Sequence, residues 1–278
     1  MSVWLFTLLV GLGSLGAGFL GALTGLGGGV VLVPMLVLLF GIDLPYAIGA
    51  SLVAVIATSS GAAAAYVREG YSNVRLALVM EIATTTGGLC GALLVAADVV
   101  PPAALSVVFG VVLLVSAALS LRSRTHLGPG EPDALAQRLG LDGAYPTPEG
   151  PRHYHLRHVP AGFGLMYLAG VLSGLLGIGS GALKVLAMDQ VMRVPFKVST
   201  TTSNFMIGVT AAASAGVYLA GGLIDPGLAL PVTLGVLLGS LLGARVLVVA
   251  HPRVLRWVFG AVILVLAVQM VVKGLRGG

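Results

Sequence analysis

Lys184, in "GIGSGALKVL", is a cation set inside an apolar stretch three residues beyond Gly181. Charges in such stretches are expensive and are usually functional. In the opening turn of a helix, an ammonium and the positive end of the helix dipole would together hold an anion, by about 1–3 kcal/mol when desolvated. The alternative is a long stem that lets the amine snorkel to an interface. Arg245, in "GSLLGARVLVVA", offers a guanidinium fork matched to an oxyanion by two parallel hydrogen bonds, or else anchors a helix end beside "HPR". Glu81 has no obvious cation at helical spacing and could carry a coupling proton if burial raises its pKa. Its place only six residues from Arg75 favours an interface position instead.

Neutral donors form a second group. Ser199, Thr200, Thr201, Thr202, Ser203 and Asn204 enter one apolar run, while Ser51, Thr58, Ser59 and Ser60 occupy another. Hydroxyls and amides complete an anion's shell without a permanent charge that would hinder release. They also bond between helices, at about 0.6 kcal/mol per pair. Ser51, Thr58, Ser203, Asn204 and Thr210 are the candidates for binding.

Glycines form the third. "GALTGLGGGVVLVP" (21–34) and "GIGSG" (177–181) interrupt apolar runs that would otherwise be continuous helix. A helix that ends there and restarts leaves free N–H groups for a ligand. Thr24, Gly27, Gly28 and Gly29 in the first break, and Gly179, Ser180 and Gly181 in the second, are therefore binding candidates. Close helix packing is the other use of such glycines, though five in the nine residues of "GALTGLGGG" exceed what packing needs.

Composition says what surrounds these groups. The chain of 278 residues is 57% hydrophobic and 9% charged, with mean hydropathy +1.04, where soluble domains run about 45–50% apolar and about 25% charged. Apolar runs near 3–23, 44–66, 76–97, 102–121, 161–176, 203–219, 227–250 and 257–272 approach the roughly 20 residues that span a bilayer. Without a barrel's alternation, the fold class is all-α integral membrane. The start "MSVWLF" has no basic region, so the first run reads as a helix and not as a cleaved signal. A single cysteine, Cys90, rules out a disulfide within the chain.

A shift of 152 residues superimposes one half on the other. Gly18, Gly25, Gly27 and Gly29 meet Gly170, Gly177, Gly179 and Gly181; Ser51, Thr58 and Gly87 meet Ser203, Thr210 and Gly239. This predicts a transmembrane repeat at 1–121, a linker at 122–160 and a second repeat at 161–278. The linker is proline-rich and polar, with one short helix expected where Pro132 and Asp133 open "PDALAQRL". Its His153, His155 and His158 have no ligand set of fixed geometry, so no metal is assigned.

Five crossings per half put eleven Lys and Arg on the linker's face and two on the other; four crossings give nine against four. The positive-inside rule favours five, with the linker cytoplasmic. An odd number turns the second copy upside down, the inverted-repeat plan of many secondary transporters. Segments 29–40 and 181–190, at about 15–18 Å, are too short to cross, and such short pieces at matching places in two halves point to a transport site.

The motifs "GALTGLGGGVVLVPML", "GASLVAVIATSSGAAAAY", "GVLSGLLGIGSGAL" and "STTTSNFMIGVTAAASAGVYLAGG" resemble the duplicated motifs of the TauE/SafE family of sulfite and organosulfonate exporters, over about 10–275 apart from the linker. The resemblance implies a bacterial or archaeal inner-membrane carrier that exports small sulfur-containing anions. One half reads "TGLGGG" where the other reads "SGLLGIGSG", so the two breaks need not bind ligand alike.

Other functions fit less well. No Walker A motif implies ATP, no cofactor is implied, and coupling would come from an ion gradient, protons included, or from the membrane potential, worth about 2.3 kcal/mol per charge per 100 mV. Ser180 as an enzyme nucleophile would need a nearby base; His251, the histidine outside the linker, precedes Pro252 at a membrane edge. An anion channel would need a polar stripe, which the Ser/Thr-rich helices could supply. A pI near 9.7 does not imply nucleic acid, because topology places the basic residues at turns. Lipid-facing and partner-facing leucines look alike, so the sequence specifies no oligomeric state.

Overall fold

The computed structural model describes residues 3–24, 28–68, 70–121, 133–147, 149–249 and 252–276. The first half contains α1 (Val3–Thr24), the short α2 (Gly29–Leu39), α3 (Leu44–Arg68), α4 (Val74–Ala96) and α5 (Pro102–Leu121). After α6 (Ala134–Leu139) and a hairpin of β1 (Gly143–Thr147) and β2 (Gly150–Tyr154), the second half repeats the order. It runs through α7 (Val159–Leu176), a short α8 (Gly181–Leu186) continued by a π-helical turn (Ala187–Val191), α9 (Phe196–Ala220), α10 (Pro226–Val249) and α11 (Pro252–Leu275).

This is an all-α membrane protein. Trp4–Gly21, Val74–Ala96, Val159–Leu176, Phe196–Ala220 and Pro226–Gly243 are each long and apolar enough to cross a bilayer, and α3, α5 and α11 add shorter apolar stretches. Leu8, Leu12, Leu78, Leu168, Leu234 and Leu238 on these helices are exposed, as lipid-facing leucines must be in the absence of a bilayer.

The predicted runs match the helices closely except at α11, which extends the run 257–272 to Pro252–Leu275, and at α9, which starts at Phe196 and not near 203. The hydroxyls that suggested a polar entry are instead accommodated inside the helix. Thr200 donates to the Phe196 carbonyl (2.9 Å) and Thr201 to that of Lys197 (3.0 Å), the back-bonding by which threonine sits in a helix interior.

Across the two halves α1 packs on α10, α4 on α7, α3 on α9 and α5 on α11. Small residues make two of these contacts close, as expected where lipid removes the hydrophobic drive for association. A Cβ on Gly18 would strike the Val236 carbonyl oxygen, and one on Gly239 would strike that of Leu15; 152 residues away, Gly170 faces the Thr84 oxygen and Gly87 that of Tyr167. The offset read from the sequence therefore reappears as the same backbone contact made twice.

Among the described residues of the linker, 133–147 and 149–160, there is more than loop. The expected short helix is present, capped by the Asp133 carboxylate, which accepts from Leu135 N–H (2.8 Å). The β1–β2 hairpin was not expected, because Pro146 and Pro151 argue against strands; in a two-stranded ribbon both chains are edges, where proline is tolerated. Ala136, Leu141, Tyr154 and Leu156 are buried in one apolar cluster with Leu76, Met80, Met166, Met188 and Met192. Asn73 clamps the linker from the membrane side, donating to the Leu141 carbonyl (2.8 Å) and the Tyr154 hydroxyl (2.9 Å).

Asp133 also accepts from Val159 N–H (3.0 Å), tying the start of α6 to the start of α7. These backbone donors hold its carboxyl below the ordinary 3.8, with the Val159 bond the largest cause. A lowered folded-state value contributes stability that is complete above the unfolded pKa and is lost as pH falls through the folded one. Asp133→Ala should therefore speed hydrogen exchange at the Leu135 and Val159 amides at neutral pH. In the wild type the same amides should lose protection only below about pH 3.8.

Candidate functional site

The second glycine break is described throughout; of the first, 25–27 lie outside the described residues. α1 ends at Thr24 and α2 restarts at Gly29, with the Gly28 carbonyl accepting from Leu32 N–H (3.0 Å). α7 closes on Gly177 at φ +66°, and the chain passes through Gly179 at +68° and Ser180 at +42° before α8 begins. Serine in this left-handed conformation is uncommon. Its hydroxyl donates to the Ala169 carbonyl, which holds the loop against α7.

The two breaks touch. A Cβ on Gly29 would lie 2.8 Å from the Gly177 carbonyl oxygen, 2.8 Å from Ser51 Oγ and 3.2 Å from Ile178 Cα. Ser51 Oγ donates to that Gly177 oxygen across the halves (2.8 Å), and Ser203 Oγ donates to the Gly181 oxygen (3.2 Å). Only glycine allows this approach at position 29.

Lys184 does not snorkel. It is 0% exposed, and its Nζ donates to Thr210 Oγ1 at 2.6 Å. Thr210 in turn lies 2.6 Å from Glu81 Oε1. The Thr210 hydroxyl has one hydrogen, and among its neighbours, which include the Thr84 hydroxyl at 3.3 Å and the Met206 carbonyl at 3.0 Å, the carboxylate is the strongest acceptor. A chain of ammonium, hydroxyl and carboxylate results, running from α8 through α9 to α4.

The interface reading of Glu81 is thereby corrected. Glu81 is 7% exposed, Thr85 Oγ1 donates to its Oε1 (2.9 Å), and Arg75 points away toward the Gly140 carbonyl (3.4 Å). Its other oxygen, Oε2, is buried with no partner among the described residues. The pairing with Lys184, and the contributions of Thr84 and Thr85, were missed. A signal was available: two opposite charges inside apolar runs, one in each half, are each costly alone and so tend to meet.

The arrangement is one-sided. At the 152-residue offset, Lys184, Thr210 and Glu81 correspond to Leu32, Thr58 and Thr233. Thr58 bonds only back to Ala54 and Val55, and Thr233 Oγ1 is buried without a partner. Asn204 is partly exposed and takes no part in the chain of bonds. Gly27 and the side chains of Thr24 and Arg245 lie outside the described residues.

Of the loop histidines, His155 has a carboxylate neighbour. His155 Nδ1 lies 2.9 Å from Asp142 Oδ2, and His158 precedes α7 in a left-handed turn. Asp189 and Gln190, in the π turn after α8, hydrogen-bond to each other (2.8 Å).

The two breaks therefore meet across the halves, and the same bundle buries a lysine and a glutamate joined through a threonine hydroxyl. Residues 10–270 match the family described as "Sulfite exporter TauE/SafE". The chain belongs to this family. It is 27% identical to "Probable membrane transporter protein YunE" of Bacillus subtilis (strain 168), over 97% of this chain and 98% of that one. It is 26% identical to a "Probable membrane transporter protein" of Xylella fastidiosa (strain 9a5c), over 95% of each. No solved structure matches. As a TauE/SafE protein it is a multi-pass membrane transporter.

Proposed function

We propose that the protein is a secondary transporter that exports a small sulfur-containing anion, sulfite or an organosulfonate, across the inner membrane by alternating access. The observation that carries this reading is the fully buried Lys184, in the first turn of the short helix that follows the second break. An ammonium buried there has no interface to reach, and its one hydrogen bond among the described residues leaves donors for a ligand. Thr210 bonds the ammonium, and we assign Gly179, Ser180, Gly181, Ser51, Ser203, Gly28 and Gly29 of the two breaks as further candidates for holding the anion.

Two transmembrane repeats, 1–121 and 161–278, move against each other in this reading, joined by a cytoplasmic linker at 122–160. The twice-made contacts of α1 with α10 and α4 with α7 support two like repeats, and counting each break with its short helix as a fifth crossing turns the second copy upside down. The family's description supports the sulfur anion.

Radiolabelled sulfite and methanesulfonate, each presented to proteoliposomes, test the reading. Saturable uptake accelerated by the same anion trapped inside is the expected result, because counterflow needs a site that alternates. Conductance without saturation would replace the carrier with a channel. No flux of either anion through folded protein would remove the substrate class.

A further inference from the structure

We propose that Glu81 is the proton site of this transporter and that each monoanion bound at Lys184 crosses together with one proton. The inference rests on the anion-carrier reading and adds its coupling. It stands on three facts of geometry: the Lys184–Thr210–Glu81 chain with both contacts at 2.6 Å, the burial of both charged ends, and the unpartnered, buried Oε2 of Glu81.

Charge counting gives the coupling. In the empty site the ammonium and the carboxylate sum to zero. An anion added beside Lys184 with Glu81 ionised would leave one uncompensated negative charge in the membrane interior. A proton added to Glu81 without the anion would leave one positive charge. Both states carry the penalty of an unbalanced buried charge. When proton and anion enter together the site holds an ammonium, an anion and a neutral carboxylic acid, and again sums to zero. The two neutral states are the ones able to cross, so a monoanion and a proton move as a pair in the same direction, no net charge is transferred, and export is driven by the anion's own outward gradient and not by the membrane potential.

Stereochemistry accommodates both guests. Oε2 accepts no hydrogen bond, so a proton can be added there without breaking one, while Oε1 keeps its Thr85 donor. Among the described residues the Lys184 ammonium makes one hydrogen bond, to Thr210, and its remaining donors can turn to an anion oxygen.

The other titratable groups on the surrounding elements are engaged elsewhere. On α9, Lys197 lies over the Tyr71 ring at 3.7 Å and the Tyr218 hydroxyl donates to the Gly174 carbonyl. On α7, Tyr167 is exposed on the outer face of the bundle. On the π turn, Asp189 is bonded by Gln190, and on α4 Arg75 reaches the linker. Lys184 is the charge that faces Glu81.

The test follows methanesulfonate, which stays a monoanion at every pH used, in proteoliposomes carrying a trapped pH dye. With the potential clamped by potassium and valinomycin, an external pH one unit below the internal one should drive accumulation to about tenfold. Dye acidification should accompany anion entry one for one, and changing the clamped potential should change nothing. In Glu81→Gln, gradient-driven accumulation should vanish and the exchange rate should no longer vary with pH; Glu81→Asp should restore part of both. Anion entry driven by potential and not by the pH gradient, or a Glu81→Gln variant that still accumulates with the gradient, would overturn the coupling while counterflow leaves the carrier standing. No methanesulfonate flux under any condition would take down both.

Discussion

Lys184→Met should abolish saturable anion uptake and lower the unfolding free energy by about 3–5 kcal/mol, the usual cost of removing one partner of a buried ion pair. The cause is the partner left behind. Glu81 is 7% exposed, and without the ammonium its carboxylate must either stay charged in an apolar interior or take up a proton. The double variant Lys184→Met with Glu81→Leu should therefore recover most of that stability, since apolar residues of similar volume often replace a buried pair without loss. Its transport should stay absent. Thermal unfolding of the single and double variants in the same detergent, beside counterflow in proteoliposomes, separates the two effects. A Lys184→Met protein that exchanges anion at the wild-type rate would remove Lys184 from the site. A double variant no more stable than the single would show that the pair is not coupled through Thr210.

Much of the scaffold was legible because the membrane leaves few choices. The run 102–121 is α5 residue for residue, and the short segments after the glycine breaks are the short helices α2 and α8 with its π turn. The 152-residue offset also foretold contacts, since Gly18 on Val236 and Gly170 on Thr84 are one contact written twice. What stayed hidden depends on packing. Glu81 and Thr210 are separated by 129 residues, and no local pattern says that α4 brings one against the other. Thr58 and Thr210 occupy matching positions with the same side chain, yet one bonds to its own helix and the other bridges two charges. The hairpin escaped notice for a different reason: its prolines contradict strand propensity, and its place is set by Asn73 and the methionine-lined cluster beneath it.

The offset permits a sharper experiment than either half alone. Gly170→Ala and Gly87→Ala each drive a Cβ into a carbonyl oxygen across the α4–α7 contact; Gly18→Ala and Gly239→Ala do the same across α1–α10. Backbone cannot rotate aside as a side chain can, so the helices must separate, at about 3 kcal/mol or more, the upper end for overpacked interiors. Gly216→Ala on α9 meets nothing within 4 Å and should instead gain about 0.5–1 kcal/mol, as alanine does over glycine in a helix. Stability alone should not tell the two contacts apart. Transport should, because Thr84, the residue struck by Gly170→Ala, is one turn from Glu81 on α4 and lies against Thr210 at 3.3 Å. Separating α4 from α7 displaces the carboxylate from a 2.6 Å hydrogen bond, whereas the matching positions beside α1–α10 carry Leu32, Thr58 and Thr233 and no charge. At equal loss of stability, the α4–α7 variants should lose pH-driven accumulation and the α1–α10 variants should keep more of it. Equal loss from both sides would mean that the bundle moves as one body and that the one-sided charge has no special claim on transport.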